Sequence, residues 1–306
     1  MMKDGNVYLV WLEWPEKCFR VDAASLSYLK SVVPEGGKVV RAKTREAFFA
    51  ALARATHVIT WYFDREWFAK APRLKVLATP SAGMELLPQE APEGVKIHFG
   101  GFHGPVMAET VAAFALAWCR GLYAAGNYSP KTSGGMVPRT WLSDKCRALC
   151  GTKAVVVGYG KVGRAIGDKL AALGVRVEGF RRSNIKDLPH AVKDCDWFVM
   201  ALPATPATDD FLDAKLMAKL PKRCVVINVG RGNSINEDAL VNALESGRLA
   251  GACLDVAKIE PLRTLKSFVK PKRALPPNLF LMPHSAAFYP EYVTDCFKEL
   301  KREGLV

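Results

Sequence analysis

Short apolar runs alternate with amphipathic stretches along nearly the whole chain. Runs rich in Val, Ile and Leu predict buried strands, and stretches in which apolar residues recur every three to four positions predict helices. The predicted strands are 7–12, 38–42, 57–62, 74–78, 154–158, 175–180, 196–202, 223–229, 251–256 and 279–282. The predicted helices are 25–33, 45–55, 64–69, 106–122, 164–173, 213–220, 236–246 and 291–302. Because strands alternate with helices, the pattern predicts an α/β fold built on parallel, doubly wound sheets.

The apolar run at 154–158 is followed by glycines in the spacing of a dinucleotide-binding loop. Gly158, Gly160 and Gly163 form the pattern Gly-x-Gly-x-x-Gly between a predicted strand and a predicted helix. Gly158 permits a tight turn, Gly160 lets a pyrophosphate approach the backbone, and Gly163 lets the helix pack close to the strand. The N–H groups of the first helical turn would then face the phosphates. We therefore expect this part of the chain to bind a dinucleotide.

The end of the second strand in such a unit selects between NAD and NADP. An acidic residue there binds the ribose 2′-hydroxyl of NAD and would repel a 2′-phosphate. This chain has Arg181, Arg182 and Ser183 at that point, while Glu178 lies inside the strand. A charge-assisted hydrogen bond to a phosphate contributes about 1.5–3 kcal/mol. The sequence predicts NADPH (or NADP⁺) as the cofactor rather than NADH, and the alternative is that both arginines point to solvent.

The 306 residues carry a formal net charge of +13, which raises the question of an anionic partner. Nucleic acid, a membrane surface or a small anion could each use a basic surface. The sequence has no zinc-finger spacing, no arginine-rich arm and no apolar stretch long enough to span a bilayer. We therefore expect no nucleic-acid partner and no membrane. The charge either steers a small anionic substrate and the cofactor or belongs to an ordinary basic surface.

Eight cysteines are scattered along the chain without a Cys-x-x-Cys pair. Several lie inside apolar strands, so we interpret them as small buried apolar residues with free thiols, which indicates a protein of a reducing compartment. Metal-ligand spacing is absent around them, so we expect no metal. The N-terminus lacks the apolar core of a signal peptide. Together these features predict a cytoplasmic protein.

A second candidate site follows the strand at 74–78. Ligands of open parallel sheets bind beyond the carboxyl ends of the strands, and Thr79 to Met84 lie there. The backbone N–H groups of Ala82 and Gly83 could hold a carboxylate. An ordinary strand-to-helix turn is the alternative.

Several motifs together resemble the D-isomer-specific 2-hydroxyacid dehydrogenase family. The matching segments are 81–85, 158–163, 202–208, 228–232, 254–262 and 283–286. The resemblance covers nearly the whole chain and implies two doubly wound parallel-sheet domains, with a Rossmann nucleotide-binding domain inserted into a flavodoxin-like substrate domain. The implied boundaries are 1–103 plus 286–306 for the substrate (catalytic) domain and 104–285 for the NAD(P)-binding domain. A homodimer formed through the nucleotide-binding domain is expected.

The resemblance also implies roles for individual residues. The implied catalytic residues are Arg231, Glu260 and His284. The implied substrate-binding residues are Trp61, Ala82, Gly83, Arg231 and His284. The implied cofactor-binding residues are Gly158, Tyr159, Gly160, Lys161, Val162, Gly163, Arg181, Arg182, Ser183, Leu202, Pro203, Thr208, Val229, Gly230 and Asp255. Asp255 would orient the nicotinamide carboxamide.

The catalytic residue types suit the reduction of a 2-oxoacid, which needs a hydride on the carbonyl carbon and a proton on its oxygen. NADPH would supply the hydride. A histidine titrates near neutral pH, and the carboxylate of Glu260 would keep His284 charged as the general acid. Arg231 offers paired planar donors for the substrate carboxylate and for polarising its carbonyl.

The arginines after the second strand and a tryptophan at Trp61 resemble the glyoxylate/hydroxypyruvate reductase branch, with core packing as the alternative for Trp61. The connection from Glu260 to His284 is somewhat longer than is usual in the family and carries basic residues at Arg263, Lys266, Lys270, Lys272 and Arg273. We predict a reductase of small anionic 2-oxoacids such as glyoxylate or hydroxypyruvate. The alternatives are an NAD-linked D-lactate or phosphoglycerate-type dehydrogenase and, in another class, an NAD(P)-sensing interaction protein resembling corepressors.

Overall fold

A computed structural model describes residues 5–126, 137–260 and 276–306. The strands are β1 (Val7–Trp11), β2 (Lys38–Arg41), β3 (His57–Thr60), β4 (Val76–Thr79), β5 (Lys96–Phe99), β6 (Lys153–Val157), β7 (Arg176–Phe180), β8 (Trp197–Met200), β9 (Val225–Asn228), β10 (Gly251–Leu254) and β11 (Leu279–Leu281). The α-helices are α1 (Ala23–Val32), α2 (Arg45–Leu52), α3 (Gly104–Cys119), α4 (Leu122–Gly126), α5 (Arg139–Ser143), α6 (Lys161–Ala172), α7 (Leu188–Ala191), α8 (Ala214–Met217), α9 (Glu237–Glu245) and α10 (Tyr292–Arg302). The basic residues Arg263, Lys266, Lys270, Lys272 and Arg273 lie outside the described residues.

The chain divides into two compact units. Unit 1 contains Met1–His103 and Phe288–Val306, and unit 2 contains Gly104–Ala287. Each unit is built on its own sheet, and every strand pair in both sheets is parallel. The predicted α/β class with two parallel-sheet domains is therefore confirmed.

The sheet of unit 1 has the strand order β2-β1-β3-β4-β5, which is the flavodoxin-like order. Its core lies against α2 and includes Leu9, Phe48, Leu52, Val58 and Leu77. The C-terminal helix α10 packs against α1 and buries one apolar stripe. The buried side chains of that stripe recur at helical spacing, which is why this segment folds as an amphipathic helix.

Strand β5 was missing from the predicted elements. It is a short edge strand in which Lys96 and His98 alternate with Ile97 and Phe99. Such alternation is the pattern of a half-buried strand. Over four residues, with two polar side chains among them, the pattern is too short to be distinguished from a loop.

The sheet of unit 2 has the order β11-β10-β9-β8-β6-β7 and is covered by apolar side chains on both faces. Its central strands β6, β8, β9 and β10 are buried throughout, as expected for parallel strands with helices on both sides. In the Rossmann order, one half of the sheet contains three strands, whereas the corresponding half of this sheet contains only β6 and β7. Here the connection between Phe180 and Trp197 consists of short helical turns and α7 instead of a further strand.

The predicted helix at 106–122 is two helices. Helix α3 ends at Cys119 and α4 begins at Leu122. Gly121 between them has φ of +67°, in the left-handed region that ends helices. A Cβ at this position would lie 2.8 Å from the side chain of Leu142, so the turn also requires the small residue for space. Among the described residues, no helix is both long and apolar enough to cross a membrane.

Candidate active site

Packing requires two glycines of the fingerprint, Gly158 in the loop after β6 and Gly163 in α6. Gly158 has φ of +88°, and a Cβ on it would collide with the carbonyl of Ala201 at the end of β8. A Cβ on Gly163 would collide with the carbonyl oxygen of Gly158, because α6 approaches the loop closely there. The N–H groups of Gly158 and Tyr159 both donate to the carbonyl of Phe180 at the end of β7, each at 3.0 Å. The loop is therefore fixed against two neighbouring strands.

Gly160 differs from these two glycines because its free side faces open space. A Cβ built on Gly160 meets no atom within 4 Å. Gly160 is also the N-cap of α6, and no side chain caps that helix. The first-turn N–H groups of α6 thus lie beside an open space without a capping side chain, which is an environment that suits a phosphate. The residues present fit the pyrophosphate of a dinucleotide.

Tyr159 contributes to the loop through packing. Its ring lies against Gly167 of α6 and Gly179 of β7, and a Cβ on either glycine would collide with it. The ring also belongs to the partly buried residues around the core of unit 2, as does Val162. The side chain of Tyr159 thus has structural contacts of its own. Lys161 next to it is exposed.

Arg181, Arg182 and Ser183 are exposed and lie directly after β7. Nε of Arg181 donates to the carbonyl oxygen of Tyr159 at 2.7 Å, which ties the arginine to the glycine loop. The N–H of Arg181 donates to Oδ1 of Asn184 at 2.7 Å. Glu178, the nearest acid in the strand, is paired with Lys153 at 2.7 Å. A cluster of basic and hydroxyl groups therefore stands where an NAD-binding protein has an acid.

The loop after β8 is closed on itself by a threonine. The hydroxyl of Thr208 donates to the carbonyl of Pro203 at 2.7 Å and accepts the N–H of Thr205 at 2.9 Å. Leu202 approaches the loop after β9 so closely that a Cβ on Gly230 would lie 2.6 Å from its backbone. Val229 is part of the hydrophobic core. The side chains of Thr208 and Val229 thus have structural contacts of their own.

Arg231 lies in the turn after β9, which is organised by a buried asparagine. Oδ1 of Asn228 accepts the N–H of Gly230 at 3.0 Å, and its Nδ2 donates to the carbonyl of Arg231 at 3.1 Å. Nη1 of Arg231 donates to the carbonyl of Gly230 at 2.9 Å. Gly232 packs directly on the backbone of Ala257, where a Cβ would collide. The arginine is thereby held beside the loop that follows β10.

Glu260 and His284 form a close pair within unit 2. Nδ1 of His284 lies 2.7 Å from Oε2 of Glu260, and Oε1 of Glu260 accepts the N–H of Ala257 at 2.9 Å. The side chain of His284 is 47% exposed and that of Glu260 is 31% exposed, so both can be reached from outside. The structure therefore brings these two sequence-predicted residues together and leaves them accessible.

The pair favours a charged imidazole. The hydrogen bond to Glu260 raises the pKa of His284, against opposing effects of burial and of the Arg231 charge. Burial raises the pKa of Glu260, but its hydrogen bond to His284, the N–H of Ala257 and the charge of Arg231 outweigh burial and lower it below the ordinary value. The imidazole of His284 therefore keeps its proton to a higher pH than a free histidine, as a general acid requires.

Asp255 fixes the segment that carries His284. Its buried carboxylate accepts the N–H of Ser285 at 2.8 Å and that of Ala286 at 3.0 Å, and its carbonyl accepts the N–H of His284 at 2.8 Å. His284 has φ of +57°, a conformation that costs energy in a residue with a side chain. Burial raises the pKa of Asp255 against the lowering effect of the two N–H groups. This anchoring contact was missed in the sequence, because the two segments are far apart along the chain.

The predicted substrate residues of unit 1 have other contacts as well. Trp61 is 8% exposed and donates its indole N–H to the carbonyl of Phe19 at 3.2 Å. The N–H of Gly83 donates to the hydroxyl of Ser81 at 3.0 Å, and Ala82 beside it is exposed. Packing alone accounts for Trp61, whereas the loop at Ala82 presents its backbone to the outside at the carboxyl end of β4.

Residues 112–286 match the NAD binding domain of the D-isomer specific 2-hydroxyacid dehydrogenases. A human glyoxylate reductase/hydroxypyruvate reductase is 30% identical over 239 residues, which cover 71% of this chain and 68% of the human protein. The chain belongs to the D-isomer specific 2-hydroxyacid dehydrogenase family, as its motifs predicted. It is accordingly a 2-hydroxyacid dehydrogenase with an NAD(P)-binding domain.

Solved structures share the fold of the chain. A D-isomer specific 2-hydroxyacid dehydrogenase from Xanthobacter autotrophicus, in complex with NADPH, has a TM-score of 0.76 at 24% identity and covers 98% of this chain and 94% of its own. A D-isomer specific 2-hydroxyacid dehydrogenase from Lactobacillus delbrueckii, in its NAD complexed form, has a TM-score of 0.75 at 15% identity and covers 98% of this chain and 96% of its own. These two proteins of the same fold bind different nicotinamide cofactors.

Proposed function

We propose that the protein is an NADPH-dependent reductase that converts small 2-oxoacids, such as glyoxylate or hydroxypyruvate, into D-2-hydroxyacids. The observation that carries this proposal is the contact between Nδ1 of His284 and Oε2 of Glu260 at 2.7 Å. An accessible histidine whose pKa is raised by a carboxylate suits a proton donor at a carbonyl oxygen. The similarity to the human glyoxylate reductase/hydroxypyruvate reductase supports the same reaction class.

His284 would donate the proton in this reaction. With Nδ1 engaged by Glu260, the imidazolium has Nε2–H free to donate to the carbonyl oxygen of the substrate. A bound nicotinamide cofactor would supply the hydride. Asp255 accepts the N–H groups of His284, Ser285 and Ala286, which holds the backbone that carries the donor.

Arg231 would bind the anionic part of the substrate. Gly232, directly after Arg231, packs on the backbone of Ala257, and the N–H of Ala257 donates to Glu260. A planar guanidinium suits a carboxylate and polarises an adjacent carbonyl. We assign unit 1 as the substrate domain and propose that the backbone at Ala82 and Gly83 receives the substrate carboxylate. Unit 2 would be the nucleotide-binding domain.

The choice of NADPH over NADH rests on the residues after β7. Arg181 is tied to the glycine loop through the carbonyl of Tyr159, so its charge is fixed near the cofactor site. Arg182 and Ser183 are exposed beside it, and Glu178 is paired with Lys153. This arrangement favours a 2′-phosphate and offers no carboxylate for a 2′-hydroxyl.

We further propose a cytoplasmic homodimer that assembles through unit 2. All eight cysteines are free, which suits a reducing compartment. Leu116 of α3 and Leu122 of α4 are both exposed, and apolar side chains of this size on neighbouring helices suit a subunit interface. Sedimentation of the purified protein would test the dimer.

The direct test of the function mixes purified protein with NADPH or NADH and a panel of 2-oxoacids and follows loss of the reduced cofactor. We expect turnover of glyoxylate or hydroxypyruvate with NADPH. Absence of turnover with every acid would refute the enzyme assignment and favour an NAD(P)-sensing protein. Equal use of NADH would refute only the role given to the arginines and favour an NAD-linked dehydrogenase.

A further inference from the structure

The loop proposed to receive the substrate carboxylate is held by the backbone of unit 1 at two of three consecutive carbonyls. The N–H of Gly100, which follows β5, donates to the carbonyls of Thr79 at 3.0 Å and Ser81 at 2.9 Å. The carbonyl between these two, that of Pro80, does not accept the N–H of Gly100. A Cβ on Gly100 would collide with the Pro80 carbonyl, so the two backbones touch there.

The Pro80 carbonyl is bonded to a side chain from the opposite end of the sequence. The hydroxyl of Tyr292, in the first turn of α10, donates to it at 3.2 Å. Tyr292 is 3% exposed, and Pro80 is buried as well. A buried carbonyl that loses its donor cannot be satisfied by bulk water, so this bond constrains the backbone directly before Ser81 and Ala82.

The ring of Tyr292 is held rigidly by its neighbours. It stacks on Trp61 with 6.0 Å between ring centroids and on His103 at 5.7 Å, and it meets Phe19 edge-on at 4.6 Å. Aromatic contacts of this kind fix both the position and the tilt of a ring. The direction of the hydroxyl, and with it the bond to Pro80, is therefore set by the packing of unit 1.

We propose that Tyr292 is a positioning residue for substrate binding, which acts by holding the Pro80 carbonyl and thereby the Ser81–Gly83 loop. This inference rests on the proposed function, in which that loop receives the carboxylate of a 2-oxoacid. In this role Tyr292 makes no contact with the reacting atoms. It sets the orientation of the loop backbone that includes the exposed Ala82.

The test removes the hydroxyl and keeps the ring, with Tyr292→Phe. The matched control is Tyr289→Phe, because the hydroxyl of Tyr289 donates to Asp295 at 3.1 Å and not to the loop. We expect Tyr292→Phe to raise the KM for the 2-oxoacid about tenfold with kcat changed by less than about twofold, since the proton donor is untouched. The affinity for NADPH, measured by fluorescence titration, should be unchanged, and Tyr289→Phe should leave both parameters as in the wild type.

Hydrogen–deuterium exchange measures the loop without any turnover. In Tyr292→Phe, the amides of Ser81, Ala82 and Gly83 should exchange faster than in the wild type, and in Tyr289→Phe they should not. Unchanged exchange and unchanged KM in a folded Tyr292→Phe protein would overturn the inference, as would a lowered melting temperature with unchanged KM and exchange. If the wild-type protein turned over no 2-oxoacid, the proposed function would fail, and the exchange rates would still decide whether Tyr292 holds the loop.

Discussion

The first five strands of each sheet follow the same order, but the two units differ in the segment that connects the first strand to its helix. In unit 1, β1 is followed by a 3₁₀ turn at Lys17–Phe19 and then by α1, whose N-cap is Asp22. The carboxylate of Asp22 accepts the N–H of Ser25 at 2.7 Å, so the start of α1 is already capped. In unit 2, β6 leads directly to the glycine loop and to α6, which no side chain caps.

The contrast shows that topology alone does not create a dinucleotide site. Both sheets have a crevice where the strand order reverses, which is where ligands of such sheets bind. In unit 1 the first-turn N–H of Ser25 in α1, the helix next to that crevice, is already bonded to the carboxylate of Asp22. This negative charge would also repel a phosphate. In unit 2 the corresponding helix begins at Gly160, beside open space. We infer that the residue at the N-cap helps to determine which of the two helices can bind the phosphates of a dinucleotide.

The largest expected effect comes from His284, the proposed proton donor of unit 2. We expect His284→Ala to lower kcat for 2-oxoacid reduction by about 10²–10⁴-fold, because the proton donor is lost. NADPH should bind as before, since the glycine loop is unchanged. His190→Ala is the matched control, because His190 is exposed in α7 of the same unit, and it should keep full activity. Loss of NADPH binding in His284→Ala would indicate a structural role instead.

The next effect concerns the second strand of unit 2. We expect Arg182→Asp to weaken NADPH binding about ten- to a hundredfold, because a carboxylate would replace a phosphate donor. Binding of NADH should change far less. Arg176→Asp provides the control, since Arg176 is exposed at the opposite end of β7. Titration of both cofactors against both variants measures the effect, and an equal loss for NADPH and NADH would argue against recognition of the 2′-phosphate.

Substitutions of Gly163 and Gly160 distinguish a glycine required for packing from a glycine required for cofactor binding. We expect Gly163→Ala to lower the free energy of unfolding by about 1–3 kcal/mol, because its Cβ meets the Gly158 carbonyl. Gly160→Ala should cost about 1 kcal/mol or less, since its Cβ meets nothing, yet it should weaken NADPH binding about tenfold. Thermal unfolding and cofactor titration on both variants test this. If the Gly160→Ala protein is stable and binds NADPH as tightly as the wild type, the open space beside Gly160 is not the cofactor site.

The sequence was sufficient to predict the elements that bury apolar residues at a regular period. It predicted the strand–helix alternation, the glycine loop and the family, and the structure brings Arg231, Glu260 and His284 into one unit. It did not reveal that Tyr159 is packed between Gly167 and Gly179, or that Asp255 anchors His284. Such contacts join segments that are distant in sequence, and local periodicity contains no information about them. Strand β5 was missed for a different reason, because the alternation of polar and apolar residues within it extends over only four positions.

The measurement that tests the central claim most directly is the pH dependence of NADPH-linked 2-oxoacid reduction by the wild type and by Glu260→Gln. The hydrogen bond to Glu260 raises the pKa of His284 in the folded protein above its ordinary 6.5, so the imidazolium persists to a higher pH than in a free histidine and is lost as pH rises through that raised pKa. We expect the rate of reduction to fall with rising pH at a midpoint above 6.5, and the midpoint to move to lower pH in Glu260→Gln. A midpoint that is the same in both proteins would contradict the account, because the proton donor would then not be the His284–Glu260 pair.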